Sequence, residues 1–177
     1  MAASLDGYIA RRDGRVDWME IEDRYAEGVD LDPEYIAQFL QAIDCYVMGS
    51  STYLTALQFE TNGQGWAYGD KPVFVLTSRE LPRSRSTVTF HSGDLEAFFS
   101  GQLRPHYKNI WVAGGSKLVS DCLELGIADE VRYSILPVLI GNGIPFFARA
   151  ENDIRLHLEE VKAYKNGIVA LRYVVKA

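Results

Sequence analysis

A chain of 177 residues, 47% of them apolar and 24% charged, has the make-up of an ordinary globular protein and a length that suits one domain spanning residues 1–177. No apolar run is long enough to cross a bilayer, and residues 1–6 lack the basic start and apolar centre of a secretory signal, so cytoplasmic residence is expected. A net charge of −6 argues against a broad nucleic-acid surface.

In chain order, residues 2–10 are strand-like, with a tight break at Asp6-Gly7. Residues 13–34 then hold nine acids against Arg15 and Arg24, which leaves the rest of the chain near neutrality. That stretch reads as a solvated loop, with a lid beside the first strand as the alternative. Asp32-Pro33 opens a helix, because Asp caps and Pro suits the first turn, and Tyr35, Ile36, Phe39, Leu40 and Ile43 follow at helical spacing. Residues 45–48 form an apolar strand ending at Gly49, and Ser50-Ser51-Thr52 starts the next helix. Further short strands are expected at 73–76, 88–91 and 110–113, with helices at 94–103 and 117–125. Strands apolar on both faces and separated by helices indicate a mostly parallel central sheet flanked by helices. The end differs. Residues 130–138 alternate, and 156–164 and 168–175 flank Lys165-Asn166-Gly167, which predicts an antiparallel C-terminal hairpin.

Ligands of open α/β sheets gather at the carboxyl ends of parallel strands. Three such ends carry suitable residues. Gly114-Gly115 removes side chains where a helix starts, which suits a pyrophosphate, although a glycine pair alone need only be a turn. Thr77-Ser78-Arg79 offers two hydroxyls and a fixed cation; Arg83 and Arg85 beyond it read as a solvated loop. Gly49-Ser50-Ser51-Thr52 presents hydroxyls and backbone donors at a helix start. There is no Gly-x-Gly-x-x-Gly followed by a helix, no Walker A sequence and no Gly-x-Ser-x-Gly elbow. Cys45 and Cys122 read as reduced core residues, and His91, His106 and His157 are too scattered to suggest a metal site.

The same residues carry a resemblance. Ser4-Leu5-Asp6-Gly7-Tyr8-Ile9-Ala10, Gly14-Arg15-Val16-Asp17-Trp18, Val47-Met48-Gly49-Ser50-Ser51-Thr52-Tyr53, Val75-Leu76-Thr77-Ser78-Arg79, Val112-Ala113-Gly114-Gly115, Asp129-Glu130 and Pro137-Val138-Leu139-Ile140-Gly141-Asn142-Gly143 with Phe146 follow one another in a familiar order. Together they resemble the dihydrofolate reductase-like superfamily, in the branch similar to the reductase domain of bacterial riboflavin biosynthesis. The resemblance implies a single-domain α/β fold and a homodimer. It also implies an NADPH-dependent reductase acting on a small pteridine-, pyrimidine- or sugar-like substrate. Gly49, Ser50, Ser51 and Thr52 would contact cofactor phosphates. Leu76, Thr77, Ser78 and Arg79 would hold the adenosine end, and Ala113, Gly114, Gly115, Ser116 and Lys117 the pyrophosphate. An unusual peptide, cis in one form, is implied between Gly114 and Gly115. Residues 11–31 would correspond to a mobile loop, and Asp6 and Trp18, the candidate catalytic residues, would border the substrate, with the proton delivered by Asp6 or by solvent.

Two departures stand out. Ser50 occupies a position where arginine is usual, and the first strand is short, since relatives commonly carry several apolar residues before the equivalent of Ala2. The alternatives are dihydrofolate reduction, with Asp32 or Glu34 as the required buried acid, and a nucleotide-binding module of the same fold without turnover. A homodimer is also suggested by the C-terminal strands, where Tyr133, Ile135, Val169, Leu171 and Tyr173 alternate along edges that need cover.

Overall fold

A computed structural model describes residues 1–148 and 152–176. The fold is mixed α/β, with its backbone gathered in two compact units. One holds Met1–Pro33 and Val119–Ala177, the other Glu34–Leu118.

The second unit is built on four parallel strands, β3 (Cys45–Gly49), β4 (Val73–Leu76), β5 (Val88–His91) and β6 (Ile110–Gly114), in the order β5-β4-β3-β6. The apolar runs explain this. Cys45, Tyr46, Val47 and Met48 are all buried, as a central strand covered on both faces requires. Helix α1 (Pro33–Ala42) leads into β3, α2 (Ser50–Thr61) connects β3 to β4, and α3 (Leu95–Phe98, continued by a π turn over Phe99–Leu103) connects β5 to β6. The expected 94–103 helix is therefore a composite, opened by the Asp94 carboxylate accepting from the Ala97 amide at 2.7 Å. Its core joins Ile43, Tyr46, Met48, Tyr53, Val73, Val75 and Val88.

In the first unit β1 (Ala2–Ser4) and β2 (Tyr8–Ala10) are separated by the expected break at Asp6-Gly7. α4 (Ser116–Glu124) leads on to β7 (Glu130–Leu136), β8 (Ile144–Pro145), β9 (Leu156–Ala163) and β10 (Val169–Val175). β9 and β10 form the expected antiparallel hairpin, and β1 runs parallel to β7 in a sheet ordered β1-β7-β10-β9. Tyr133 and Tyr173, expected on an exposed edge, instead pack on the unit's own core of Ala3, Leu123, Val131 and Phe146. The hairpin's edge strand is β9, at the opposite side of the sheet from β1, and its Leu158 and Val161 are exposed. β8 was not legible in the sequence. It pairs with β2, and a Cβ at Gly143 would collide with the Ala10 carbonyl, so that glycine serves packing.

The acidic stretch has two halves. From 11 to 19 it is folded on itself, with Arg11 on Asp17 at 2.6 Å, Arg15 on Asp13 at 2.8 Å, and Trp18 buried on a 3-10 turn. From Tyr25 to Asp30 it is fastened to the hairpin turn. The Tyr25 amide donates to the Lys165 carbonyl at 2.7 Å, and Val29 and Lys165 donate to Ala163 and Val29 at 2.9 Å each. Lys165 pairs with Asp30 at 2.7 Å. Gly28 lies so close to the Tyr164 backbone that a Cβ there would clash. This half of the expected mobile loop is thus tied down by backbone hydrogen bonds, which no charge pattern announces.

Burial pushes the Cys45 and Cys122 thiols up to about 12, so both stay protonated and unreactive. No helix among the described residues is long and apolar enough to cross a membrane.

Candidate functional site

Strand order locates the site. The chain enters the parallel sheet at β3, proceeds outward through β4 to β5, then returns to place β6 on the other side of β3. The order reverses between β3 and β6, and a crevice at such a reversal is where open α/β sheets bind ligands. Gly49 ends β3 and Gly114 ends β6.

The two strand ends meet through their glycines. A Cβ built on Gly115 would stand 4.0 Å from both the Gly49 Cα and its amide nitrogen. Gly114 and Gly115 have φ of +148° and +92°, a backbone path that only glycine follows without strain. The peptide between them is trans, as is every peptide bond among the described residues. This corrects the cis form the resemblance implied: successive positive φ values turn the chain without it. A bulge assists. Val47 pairs with Val112 and Met48 with Gly114, leaving Ala113 as the extra residue that redirects β6 into the turn.

Gly49 is different. Its φ of −80° suits any residue, and nothing lies within 4 Å of where its Cβ would be. Neither backbone conformation nor packing asks for glycine there. What a side chain would obstruct is the open space beyond the end of β3. Gly49 is also the N-cap of α2, and no side chain caps that helix, so its first amides face outward without a side-chain acceptor. The Ser116 hydroxyl opens α4 immediately after the glycine pair. It is buried, with no hydrogen-bond partner among the described residues. Buried polar atoms are normally paired, and an orphan hydroxyl at a helix start beside the glycine pair fits a group rich in acceptor oxygens. Lys117 follows it, exposed on the same first turn.

The β4 end contributes charge. Arg79 donates from Nη2 to the Ser50 Oγ at 2.7 Å, and its amide donates to the Thr77 hydroxyl at 3.0 Å. A guanidinium is thus held at the first residue of α2. Ser78 and Arg79 are exposed, and Leu76 and Thr77 are half-buried. The Thr77 amide donates to the His91 carbonyl at 2.9 Å, tying the ends of β4 and β5 together. His91 was passed over in the sequence because it has no second ligand for a metal. It ends a parallel strand, stacks on Phe98 at 3.8 Å between ring centroids, and keeps a buried Nε2 unpartnered among the described residues.

All thirteen residues expected to face the cofactor lie at these three strand ends, within one unit. Asp6 and Trp18 belong to the other. Asp6 accepts from the Ser4 hydroxyl at 2.6 Å, the Gly141 amide at 2.7 Å and the Ile140 amide at 3.2 Å. The Ser4 hydrogen bond, with the two amides behind it, holds its carboxyl below the usual range. Its role in this geometry is to fasten the Asp6-Gly7 turn to the loop after β7. Trp18 keeps its indole nitrogen buried and unpartnered among the described residues. Asp32 and Glu34 are exposed around the start of α1.

The parallel sheet with its reversed strand order is that of an open α/β protein, and the fold is dihydrofolate reductase-like. The chain belongs to the family described as "RibD C-terminal domain", which it matches over residues 1–170. It is 34% identical to the uncharacterised protein YwjB of Bacillus subtilis (strain 168), over 98% of this chain and 94% of that protein. Among solved structures it is similar to a "Putative riboflavin biosynthesis protein" from Shewanella sp. PV-4, with a TM-score of 0.83 and 24% identity, covering 100% of this chain and 97% of that one. It is also similar to a diaminohydroxyphosphoribosylaminopyrimidine deaminase/5-amino-6-(5-phosphoribosylamino)uracil reductase from Thermotoga maritima, with a TM-score of 0.67 and 16% identity. There it covers 99% of this chain and 55% of the longer protein.

Gly49→Ala separates ligand from fold. Losing a glycine N-cap costs less than about 1 kcal/mol, so the melting temperature should move by only a few degrees. Dinucleotide affinity, measured by fluorescence titration, should fall at least about tenfold because the added methyl enters the crevice. An unaltered affinity would mean that the ligand lies elsewhere.

Proposed function

We propose that the chain is an NADPH-dependent reductase that passes hydride to a small pteridine-, pyrimidine- or sugar-like substrate, resembling 5-amino-6-(5-phosphoribosylamino)uracil reductase. Membership of the RibD C-terminal domain family supports a reductase of the riboflavin-pathway type. The observation that carries the cofactor assignment is the Arg79–Ser50 contact at 2.7 Å beside the glycine-lined reversal of the sheet. When bound, the reduced nicotinamide supplies the hydride. The protein binds and orients. Backbone of Gly49, Gly114 and Gly115, with Ser51, Thr52, Ser116 and Lys117, takes the pyrophosphate. Thr77, Ser78 and Arg79 read the adenosine 2′-phosphate. Asp6, held ionised by its three donors, fastens the turn after β1, which favours solvent over Asp6 as the source of the proton.

The rival readings draw less support. Folate reduction needs a buried acid, whereas Asp32 and Glu34 are exposed and α1 buries no residue. A module without turnover was suggested by the serine at position 50, but Arg79 brings a guanidinium to that position from the neighbouring strand end. A panel of reducible pyrimidines, pteridines and ketosugars, read by loss of reduced-nicotinamide absorbance, separates enzyme from binding module. Turnover of none, with NADPH still bound, would favour the module.

The homodimer is part of the proposal. Exposed Leu158 and Val161 on the β9 edge suit pairing with a second copy. Light scattering at micromolar concentration should give twice the mass of one chain, and a monomer would remove this element.

Arg79→Ala tests the cofactor choice. A charge-assisted hydrogen bond contributes roughly 1.5–3 kcal/mol, so NADPH affinity should fall by about one to two powers of ten. NADH, which lacks the phosphate, should be untouched, and the salt dependence of NADPH binding should flatten. Equal losses for both cofactors would mean that Arg79 supports the loop and reads no phosphate.

A further inference from the structure

The loop between β4 and β5 carries Arg79, and it is held along its length by one helix. Ser50, Tyr53, Leu57 and Glu60 recur on α2 at spacings of three, four and three residues, which places them on one stripe. Three of them grip the loop. Ser50 takes the Arg79 guanidinium at 2.7 Å. Tyr53 donates its hydroxyl to the Pro82 carbonyl at 2.7 Å, accepts from the Ser84 amide at 3.1 Å and lies 3.2 Å from the Ser84 hydroxyl. Glu60 pairs with Arg85, whose guanidinium lies 4.5 Å over the Trp66 ring. Arg85, expected in a solvated loop, is therefore the far anchor of a splinted one.

Tyr53 is the middle anchor and has no solvent exposure. Its ring stands edge-on to Trp66 and Phe90, at 6.2 and 5.6 Å between centroids, so the hydroxyl cannot follow the loop if the loop moves. The residues it binds lie three and five positions beyond Arg79, inside the same loop. A hydroxyl in that place sets how often Arg79 is found at the start of α2.

We propose that Tyr53 is a specificity-determining positioning residue: its hydroxyl fixes the loop that delivers Arg79, and so sets the preference for a 2′-phosphorylated cofactor without touching the cofactor. This rests on the NADPH reading above. NADH, which does not use Arg79, is indifferent to the loop.

The test is a double-mutant cycle on the full chain, with NADPH and NADH dissociation constants measured by fluorescence titration for wild type, Tyr53→Phe, Arg79→Ala and both together. Phenylalanine keeps the ring and its packing. Tyr53→Phe should lower the NADPH-to-NADH affinity ratio by about three- to tenfold, the worth of one neutral hydrogen bond, with NADH unchanged. In the Arg79→Ala background it should change the ratio no further. An unaltered ratio, a parallel loss of both cofactors, or a full effect without Arg79 overturns the proposal. If Arg79→Ala leaves the ratio intact, the cofactor reading falls and takes the positioning role with it; if only Tyr53→Phe does, the positioning role alone falls. Should Tyr53→Phe not fold, Glu60→Gln releases the same loop at its other end. It should lower the same ratio, and no change there overturns the proposal.

Discussion

Two backbone turns lie within about a methyl group's reach of each other where the strand order of the parallel sheet reverses, and the candidate site depends on that approach. A side chain on Gly115 would be strained at φ +92°, although its Cβ would stand at an ordinary contact distance of 4.0 Å from Gly49. The positive φ values and the Ala113 bulge turn the chain at the end of β6, so the starts of α2 and α4 follow directly on the ends of the neighbouring strands β3 and β6. Each helix start leaves amides unsatisfied, and the dipoles add partial positive charge there. On the proposed reading an acidic protein would take an anion there with few basic side chains, Lys117 at the start of α4 and Arg79 held on Ser50.

The two units differ in what their polar groups do. Glu34–Leu118 supplies donors, glycine turns and the guanidinium. The other unit holds Asp6 and Trp18, and spends its hydrogen bonds on fastening loops. Asp6 fixes the turn after β1 to the segment after β7, and residues 25–30 are laid along the hairpin turn. A carboxylate with three donors is stable as an anion, and that makes it a poor source of protons near neutral pH.

Much of this was legible in the chain. Asp32-Pro33 is a helix opener by itself, Gly49-Ser50 and Gly114-Gly115-Ser116 each combine one with a preceding apolar run, and all three helices begin there. Lys165-Asn166-Gly167 marked the hairpin for the same local reason. What escaped is non-local. β8 has two residues, one a proline, and forms only because β2 is beside it. The fastening of residues 25–30 depends on backbone groups, which carry no side-chain signature. Tyr53 looked like part of a motif, and Arg85 like a solvated charge, because the stripe on α2 has meaning only once the 79–87 loop is seen against it. His91 was judged by metal-ligand spacing, when its place at the end of a parallel strand was the relevant feature.

The account stands or falls on a dinucleotide lying across the reversal point of the sheet. Amide chemical shifts of the isotopically labelled protein, followed during titration with NADPH and separately with NADH, test this directly. Gly49, Ser50, Ser51, Gly114, Gly115 and Ser116 should move most with both cofactors, and Thr77, Ser78 and Arg79 should move strongly with NADPH only. Saturable shifts confined to other strand ends, or none at the two glycine turns, would contradict it.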